Sequence, residues 1–573
     1  MSYLNVPRLC FAGIFSAAPS TVNNTPQNYD PSVNITPQNA GWNPGGTGYW
    51  QFIGCTVQAV YYADGTVCTS PMQDPIVGAT FGSANQGSSG KIVDLDPEQQ
   101  MVSEIWGQKV QLGITGQPNS VEGKYDIAAF TDIWIRAVGN TSGSDAPMGA
   151  SYQSSITSPH WSDSISSRFL KELKETSPDK LSIKFNLDGI NMASGTPTFT
   201  QGRIVGTIGP AFEDEPNHLV VGRLLRSAPT VSTDPNNIPS TLLTPPGKPI
   251  FFTPCKVEHD LKKVIVDVGN SISTTTPGGP MNIDGLGKLA LAALLPGGAV
   301  EILGDINYQA SDWYTTTAGI VQFNLNDSEL KSVEANPLAV VRVKDSGEKE
   351  ILIQENSIGA FVRANKFVFR MEPGETTEVH LYATVYGKPA AYQLITLVQD
   401  TASVNNMQSP PNPDSIPIGT PQSALQMPAT VTTDALGHAS FKLTASDPGN
   451  PRQFIDGQVY GVRYIWGEQE PPDYNHDPTS FISVLVHDSY TYEDPPTWTT
   501  NVEPILGQYA KLYPYMTDNV VNLGNYKDVV SQKEAIKRVL SIPKDDPGYM
   551  QVTRDMSRDK LQMILKWLDN PIP

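Results

Sequence analysis

At 573 residues the chain exceeds one ordinary hydrophobic core, so roughly two to four domains are expected. A net charge of -19 with no Lys/Arg run argues against nucleic acid or an anionic membrane surface as partner. No stretch approaches the ~20 consecutive apolar residues of a membrane helix, so no membrane insertion is expected. Charged residues are sparse at 17% while Gly (47) and Pro (48) are frequent, a composition of many short strands joined by turns.

The opening stretch MSYLNVPRLCFAGIFSAAPS has Arg8 as its one basic residue and a short apolar run broken by a glycine. It reads as a first strand better than as an export signal. Residues 1–350 form a β-rich region of one or two domains. Its strand candidates include YWQFIGCTVQAVYY, KVQLGI, YDIAAFTDIWIRAV, KLSIKFNLDGI, GRIVGTIGPAF, KKVIVDVG, AVEILGDINY, AGIVQFNLN and LAVVRVK. In KLSIKFNLDGI, Leu181, Ile183, Phe185 and Leu187 alternate onto one face. WSDSISSRFLKELKE predicts a short helix capped by Ser162 or Asp163, with Ile165, Phe169 and Leu173 on its apolar side.

Residues 356–492 carry some six or seven short strands with turn signals between them, the pattern of a β-sandwich. The Pro-rich insert NNMQSPPNPDSIPIGTPQ inside it reads as an irregular loop. From residue 500 to 573 the apolar period becomes helical. One stripe runs through Ile505, Leu506, Tyr509, Leu512, Tyr513 and Met516, and a second through Val529, Val530, Ile536, Val539 and Leu540. A last helix starts after Ser557 as its N-cap, buries Leu561, Ile564, Leu565 and Leu568, and stops at Pro571. The fold class is therefore mainly β and multidomain, with a small helical C-terminal domain.

Few residues carry recognisable chemistry. HExxH, GxSxG and phosphate-loop motifs are absent, and the seven histidines are scattered singly, so no catalytic residue is assigned and no cofactor is expected. Glu258, His259 and Asp260 adjoin on a strand, where neighbours point to opposite faces and seldom share an ion. VDLDPEQQ places Asp94, Asp96 and Glu98 at alternate positions. Three carboxylates on one strand face suit calcium, and two suit acid–base work; an Asx or proline turn ending the strand is the structural alternative. Cys10, Cys55, Cys68 and Cys255 include no CxxC pair, which argues against structural zinc. Asp64-Gly65 marks a hairpin between Cys55 and Cys68, so a disulfide across it and buried free thiols both fit.

Three resemblances attach to these segments. NVPRLCFAGIFSAAPSTVNN, GKIVDLDPEQQMVSEIWGQKVQL and GRIVGTIGPAF followed by HLVVGRLLR resemble the non-ferritin β-rich part of proteins similar to the violacein-pathway iminophenyl-pyruvate dimer synthase. That resemblance implies a cytoplasmic-type fold in which the opening segment belongs to the mature protein. The enzyme's chemistry resides in a ferritin-like metal-binding helical domain with a Glu-x-x-His pair, which this chain lacks. TDALGHA resembles the hairpin of bacterial immunoglobulin-like domains. The tail resembles a small class of c-type cytochrome domains at Pro504-Ile505-Leu506, Met550, Ser557, Ile564 and Trp567. The place of C-x-x-C-H holds YAKLYPY, so the resemblance implies a haem-less domain with Tyr and Leu side chains in the haem's space.

Three functions remain in view. The first is a non-catalytic structural or interaction protein, of a bacterial, uncharacterised family by its resemblances, that forms homo-oligomers or scaffolds a protein partner. It would use exposed sheet edges, with sparse Lys to protect them. The second is an enzyme of secondary metabolism using Asp94, Asp96, Glu104 or His160 with Trp161. The third is an extracellular carbohydrate-binding or adhesive protein, exported by a route without a signal peptide. A cytoplasmic location follows from the first two.

Overall fold

The opening segment is the strand β1 (Arg8–Ala17), and its alternation serves two cores at once. Leu9, Phe11 and Phe15 enter one hydrophobic cluster, while Cys10 and Ala12 join another on the opposite side. The computed structural model describes residues 3–83, 90–99, 101–139, 144–213, 215–226, 250–401, 417–468 and 481–573. Most of the Pro-rich insert lies outside the described residues.

The first twelve strands form one antiparallel sheet that closes on itself. They are β1, β2 (Tyr49–Tyr61), β3 (Val67–Cys68), β4 (Thr80–Ser83), β5 (Gly90–Asp94), β6 (Ser103–Trp106), β7 (Lys109–Leu112), β8 (Val121–Tyr125), β9 (Ala128–Ile135), β10 (Met148–Trp161), β11 (Lys180–Asp188) and β12 (Gln201–Pro210). Pairing runs β1–β12–β11–β10–β8–β7–β4–β2 and returns from β2 to β1. The long strands β2 and β10 also carry a second branch, β5–β6–β9, so the barrel wall is split between them. The interior is filled by stacked rings, including Phe11, Trp50, Phe52, Tyr125, Tyr152 and Phe185. It is a packed core. Closure pairs both sides of β1, so this strand offers no free edge for docking among the described residues.

Three local expectations are corrected here. Val60, not Cys55, lies opposite Cys68, so the hairpin does not juxtapose the two thiols. Cys55 and Cys68 are free and buried, as are Cys10 and Cys255. The stretch YDIAAFTDIWIRAV divides, because Tyr125 ends β8 and Ala128 begins β9. The helix spans Arg168–Thr176 and its N-cap is Ser167, whose side chain accepts from the Leu170 N–H. Asn119 Oδ1 takes the Ser166 and Ser167 N–H groups instead, which holds Ser162 and Asp163 outside the helix.

Eight further strands follow, β13 (Arg223–Leu225), β14 (Thr253–Glu258), β15 (Lys263–Asp267), β16 (Lys288–Leu294), β17 (Val300–Ile306), β18 (Ile320–Asn324), β19 (Leu338–Val343) and β20 (Lys349–Gln354). They form the sheets β13–β14–β15–β18 and β17–β16–β19–β20 around the core that Cys10 and Val205 also enter. This middle region covers the outer face of β11. Lys184 pairs with Asp267 at 2.8 Å, and Ser182 accepts from the Tyr3 N–H.

The next ten strands are β21 (Ala360–Ala364), β22 (Val368–Met371), β23 (Thr376–Val385), β24 (Lys388–Pro389), β25 (Leu394–Gln399), β26 (Leu425–Gln426), β27 (Thr430–Thr432), β28 (His438–Ala445), β29 (Gln458–Trp466) and β30 (Ile482–Val486). They make two five-stranded sheets sharing one core. The Pro373-Gly374 turn joins β22 to β23, yet these strands lie in different sheets, because β22 pairs parallel with β30.

Short helices complete the chain at Glu503–Leu512, Pro514–Asn519, Tyr526–Ser531, Lys533–Ser541 and Arg558–Asp569, around Trp498 and Trp567. Ser557 is the N-cap residue of the last, but its side chain makes no capping bond. Carboxylates from the two-sheet region act there: Glu372 accepts from the Arg558 N–H at 2.7 Å, and Asp456 from the Ser557 N–H at 3.2 Å.

Gly107 lets the C-terminal region press against the barrel. Its φ is +67°, and a Cβ there would lie 2.7 Å from the Pro547 nitrogen. Gly107→Ala is expected to push that backbone away and cost about 1–3 kcal/mol. Limited proteolysis should then cut within the C-terminal region faster, and an unchanged rate would show that this contact does not hold it.

Candidate functional site

The sequence candidates Asp94, Asp96, Glu98 and Glu104 lie on one hairpin, β5 to β6, at the seam where the barrel, the two-sheet region and the helical tail meet. The turn between the strands is made by Asp96, whose Oδ1 accepts from the Glu98 N–H at 2.9 Å while its carbonyl accepts from Gln99. The four carboxylates do not assemble around one point. Asp96 and Glu98 are buried on Arg452, which reaches Asp96 at 2.6 and 2.8 Å and Glu98 at 3.2 Å. Glu104 pairs with Arg370 of β22 and accepts from Trp106 Nε1 at 3.2 Å. Asp94 accepts from the Ser103 hydroxyl. Calcium ligation by Asp94, Asp96 and Glu98 therefore does not fit, because the arginine occupies the last two. Among the described residues no group of three His, Cys, Asp or Glu is placed to hold a metal.

Charge at this seam is governed by burial. Arg452 is fully buried. Desolvation opposes its charge, but Asp96 and Glu98 outweigh it and raise the guanidinium above its ordinary value. Burial pushes the Asp94 carboxyl up to about 7, against the Ser103 hydrogen bond. Trp106 is flanked by two cations, Arg370 from the two-sheet region and Arg554 from the tail, 5.3 and 5.5 Å from its ring. Burial and then Arg370 lower Arg554 to about 10, and its donors go to the carbonyls of Lys544, Asp546 and Val552. His487, at the end of β30, is 1% exposed, and neither ring nitrogen meets a hydrogen-bond partner among the described residues. Burial lowers it to about 4, with Lys544, Lys560 and Arg370 acting in the same sense and Asp456 opposing.

Beside this seam lies a cavity of about 520 Å³. Its walls come from the start of β2, from β5 and from the helical tail, and are mainly apolar. Lys91 is the only ammonium and Asp94 the only carboxylate among its lining residues. Gly48, with φ +69°, forms part of the wall, and a Cβ there would strike Val552 at 2.4 Å. Sequence reasoning missed Lys91 and Arg452 entirely. Neither stands in a motif, and their partners are remote in sequence.

The other candidates lie apart. His160 is exposed near the end of β10 opposite Glu122, and Trp161 Nε1 donates to the Pro178 carbonyl at 2.9 Å. Met550 lines the cavity, whereas Trp567 is buried in the helical core and donates to the Ile572 carbonyl at 2.8 Å. A covalent haem does not fit the tail, since Tyr509–Tyr515 offers neither thiol nor imidazole.

No family model matches the sequence, and no curated protein matches it. Solved structures give weak likenesses. A two-domain protein of unknown function from Bacteroides fragilis is 13% identical, over 23% of this chain and 46% of that one, with a TM-score of 0.18. The teleost fish polymeric Ig receptor ectodomain is 9% identical over 40% and 92%, TM-score 0.16. The S-layer protein SbsC is 6% identical over 72% and 51%, TM-score 0.15. The chain thus spans about half the length of the first and the third. Likeness at this level carries no argument.

Two outcomes follow from the buried charges. Arg452→Met strands Asp96 and Glu98 without a counter-ion and should destabilise the chain by about 3–5 kcal/mol. Calorimetry would read it as an earlier first transition, and an unshifted scan would mean that the pair is dispensable. For His487, the native value of about 4 lies below the 6.5 of an unperturbed histidine. The unfolded chain then takes the proton first, and stability is lost as pH falls from 6.5 towards 4. Urea unfolding of His487→Phe should show less loss over that interval than the parent, and equal slopes would refute this role.

Proposed function

We propose that this chain is a non-catalytic structural and interaction protein that self-assembles or holds a protein partner. The observation supporting this reading is the use of its buried carboxylates. Asp96, Glu98 and Glu104, the groups best placed for acid–base or metal chemistry, are each spent on an arginine from another region. A group locked in a buried ion pair is not free to exchange protons with a substrate. The same economy recurs elsewhere: Arg223 pairs with Glu355, and Arg136 with Asp188, both deeply buried. This is the design of a rigid body. The two facing sheets at residues 356–492 are proposed to be an immunoglobulin-like domain, and the tail a haem-less relative of the cytochrome domains it resembles. The resemblance to the violacein-pathway proteins is proposed to mark a β module separated from its enzyme.

Sedimentation velocity on the purified full chain tests the reading, together with mass spectrometry of what co-purifies from its own cells. A discrete species well above 62.1 kDa, or one partner in near-equal amount, is expected. A monomer at tens of micromolar with no stoichiometric partner would overturn it.

A further inference from the structure

We propose that the cavity between the barrel and the helical tail is a binding site for an amphipathic organic anion, an apolar chain or ring system carrying one carboxylate or sulfonate. The inference does not depend on the chain being a scaffold.

Size comes first. About 520 Å³ lies within the ~300–1,000 Å³ of small-molecule sites, and is far more than a packing defect. The wall comes next. Tyr513, Met516, Ile536, Val539, Met550 and Val552 line it from the tail, and Ile92 and Val93 contribute from β5. Such a surface favours an apolar body, and the unbranched Met side chains adapt to its shape.

The polar end is set by Lys91. Its ammonium has three donors, and among the described residues one of them finds an acceptor, the Thr47 carbonyl at 3.2 Å. It forms no ion pair with any described carboxylate. An ammonium that is largely desolvated and lies on the wall of an apolar cavity without a carboxylate partner is a favourable contact for an anion. Burial and the nearby Arg554 lower Lys91 to about 8, which is the strain that an incoming anion would relieve. Asp94, the one carboxylate on the wall, is pushed up to about 7 by burial. Its charge is therefore half lost near pH 7 and falls further below it, which reduces its repulsion of an anion there. An anion at Lys91 would gain a charge-assisted hydrogen bond in a low-dielectric setting.

The cavity walls are drawn from residues 19–51, 91–94 and 513–553, so a ligand would touch the barrel and the tail together. Binding would then raise the stability of their seam by mass action.

The test uses the full chain. The probes are 8-anilinonaphthalene-1-sulfonate, followed by fluorescence, and the n-alkanoates from octanoate to hexadecanoate, followed by calorimetry at pH 6.5. Saturable one-to-one binding is expected, and each acid should bind at least about tenfold tighter than the alcohol of equal length. Lys91→Met should abolish that preference while leaving the apolar affinity. Met516→Trp, which fills the wall without touching Lys91, should weaken acid and alcohol alike. Circular dichroism and thermal melting establish that both variants are folded. Failure of every probe to saturate the parent protein would overturn the proposal. So would saturable binding that neither substitution alters, since the site would then lie elsewhere.

Discussion

A guanidinium wholly removed from water must have its donors met by acceptors, and Arg452 finds two carboxylates 356 and 354 residues away in sequence. That demand, with the Glu104–Arg370 pair beside it, sets how the two-sheet region sits on the barrel. The Arg452 fork takes both Asp96 oxygens and one oxygen of Glu98, and its Nε donates to the Gly457 carbonyl at 2.7 Å. Hydrophobic contact supports the seam, with Leu95, Val102 and Ala129 of the barrel region against Val368, Val459 and Leu485. Apolar packing alone tolerates sliding. Paired charges with directional hydrogen bonds do not, so Arg452 supplies register where the cluster supplies area.

The other seams repeat this logic with different acceptors. Arg136 lies at the join of barrel and middle region, donating to the carbonyls of Gly269 and Ile272 and to Tyr314, and pairing with Asp188 at 3.1 Å. Arg223 meets Glu355 and the carbonyls of Val333 and Asn336. Arg554 uses carbonyls alone, with Trp106 and Tyr549 against its plane. Its lowered value follows from that: dipoles and rings compensate a buried cation less completely than a carboxylate does. The tail is pinned by charge at its rim instead, through Lys124–Asp545, Arg558–Glu375 and Lys560–Asp456. Its close fit rests on backbone approaches at Gly48 and Gly107 and on the borrowed helix caps Glu372 and Asp456.

Much of this fold is legible in the sequence where a pattern is local. The Leu181–Leu187 alternation lies in β11 and points into the barrel. The stripes of the tail became helices, and Ser557 is indeed the residue before the last one. What local pattern could not show is the second neighbour. Ser182, Lys184 and Asn186, the polar residues of the β11 alternation, are buried as well, because the opposite face of the strand is also covered. Barrel closure was equally invisible, since it depends on β1 pairing with strands on both sides. Asp94, Asp96 and Glu98 share a spacing but not an environment. Strand alternation ends at Asp94, after which the turn sends Asp96 and Glu98 towards Arg452 and leaves Asp94 by the cavity.

The cavity itself is a consequence of rigid parts meeting at fixed points. β2 and β10 are long because each must serve two branches of a split wall, and the branch β5–β6–β9 presents its outer side to the tail. The tail is held to that side at Val552 against Gly48, at Pro547 against Gly107 and at Arg554 against Trp106. Between these contacts its short helices cannot follow the twist of the strands. A loosely attached domain would slide to close such a gap, because empty apolar volume forfeits contacts on every wall. The pinning at the seams prevents that closure. The volume therefore persists with Lys91 on its wall, its ammonium facing the Thr47 carbonyl and no described carboxylate.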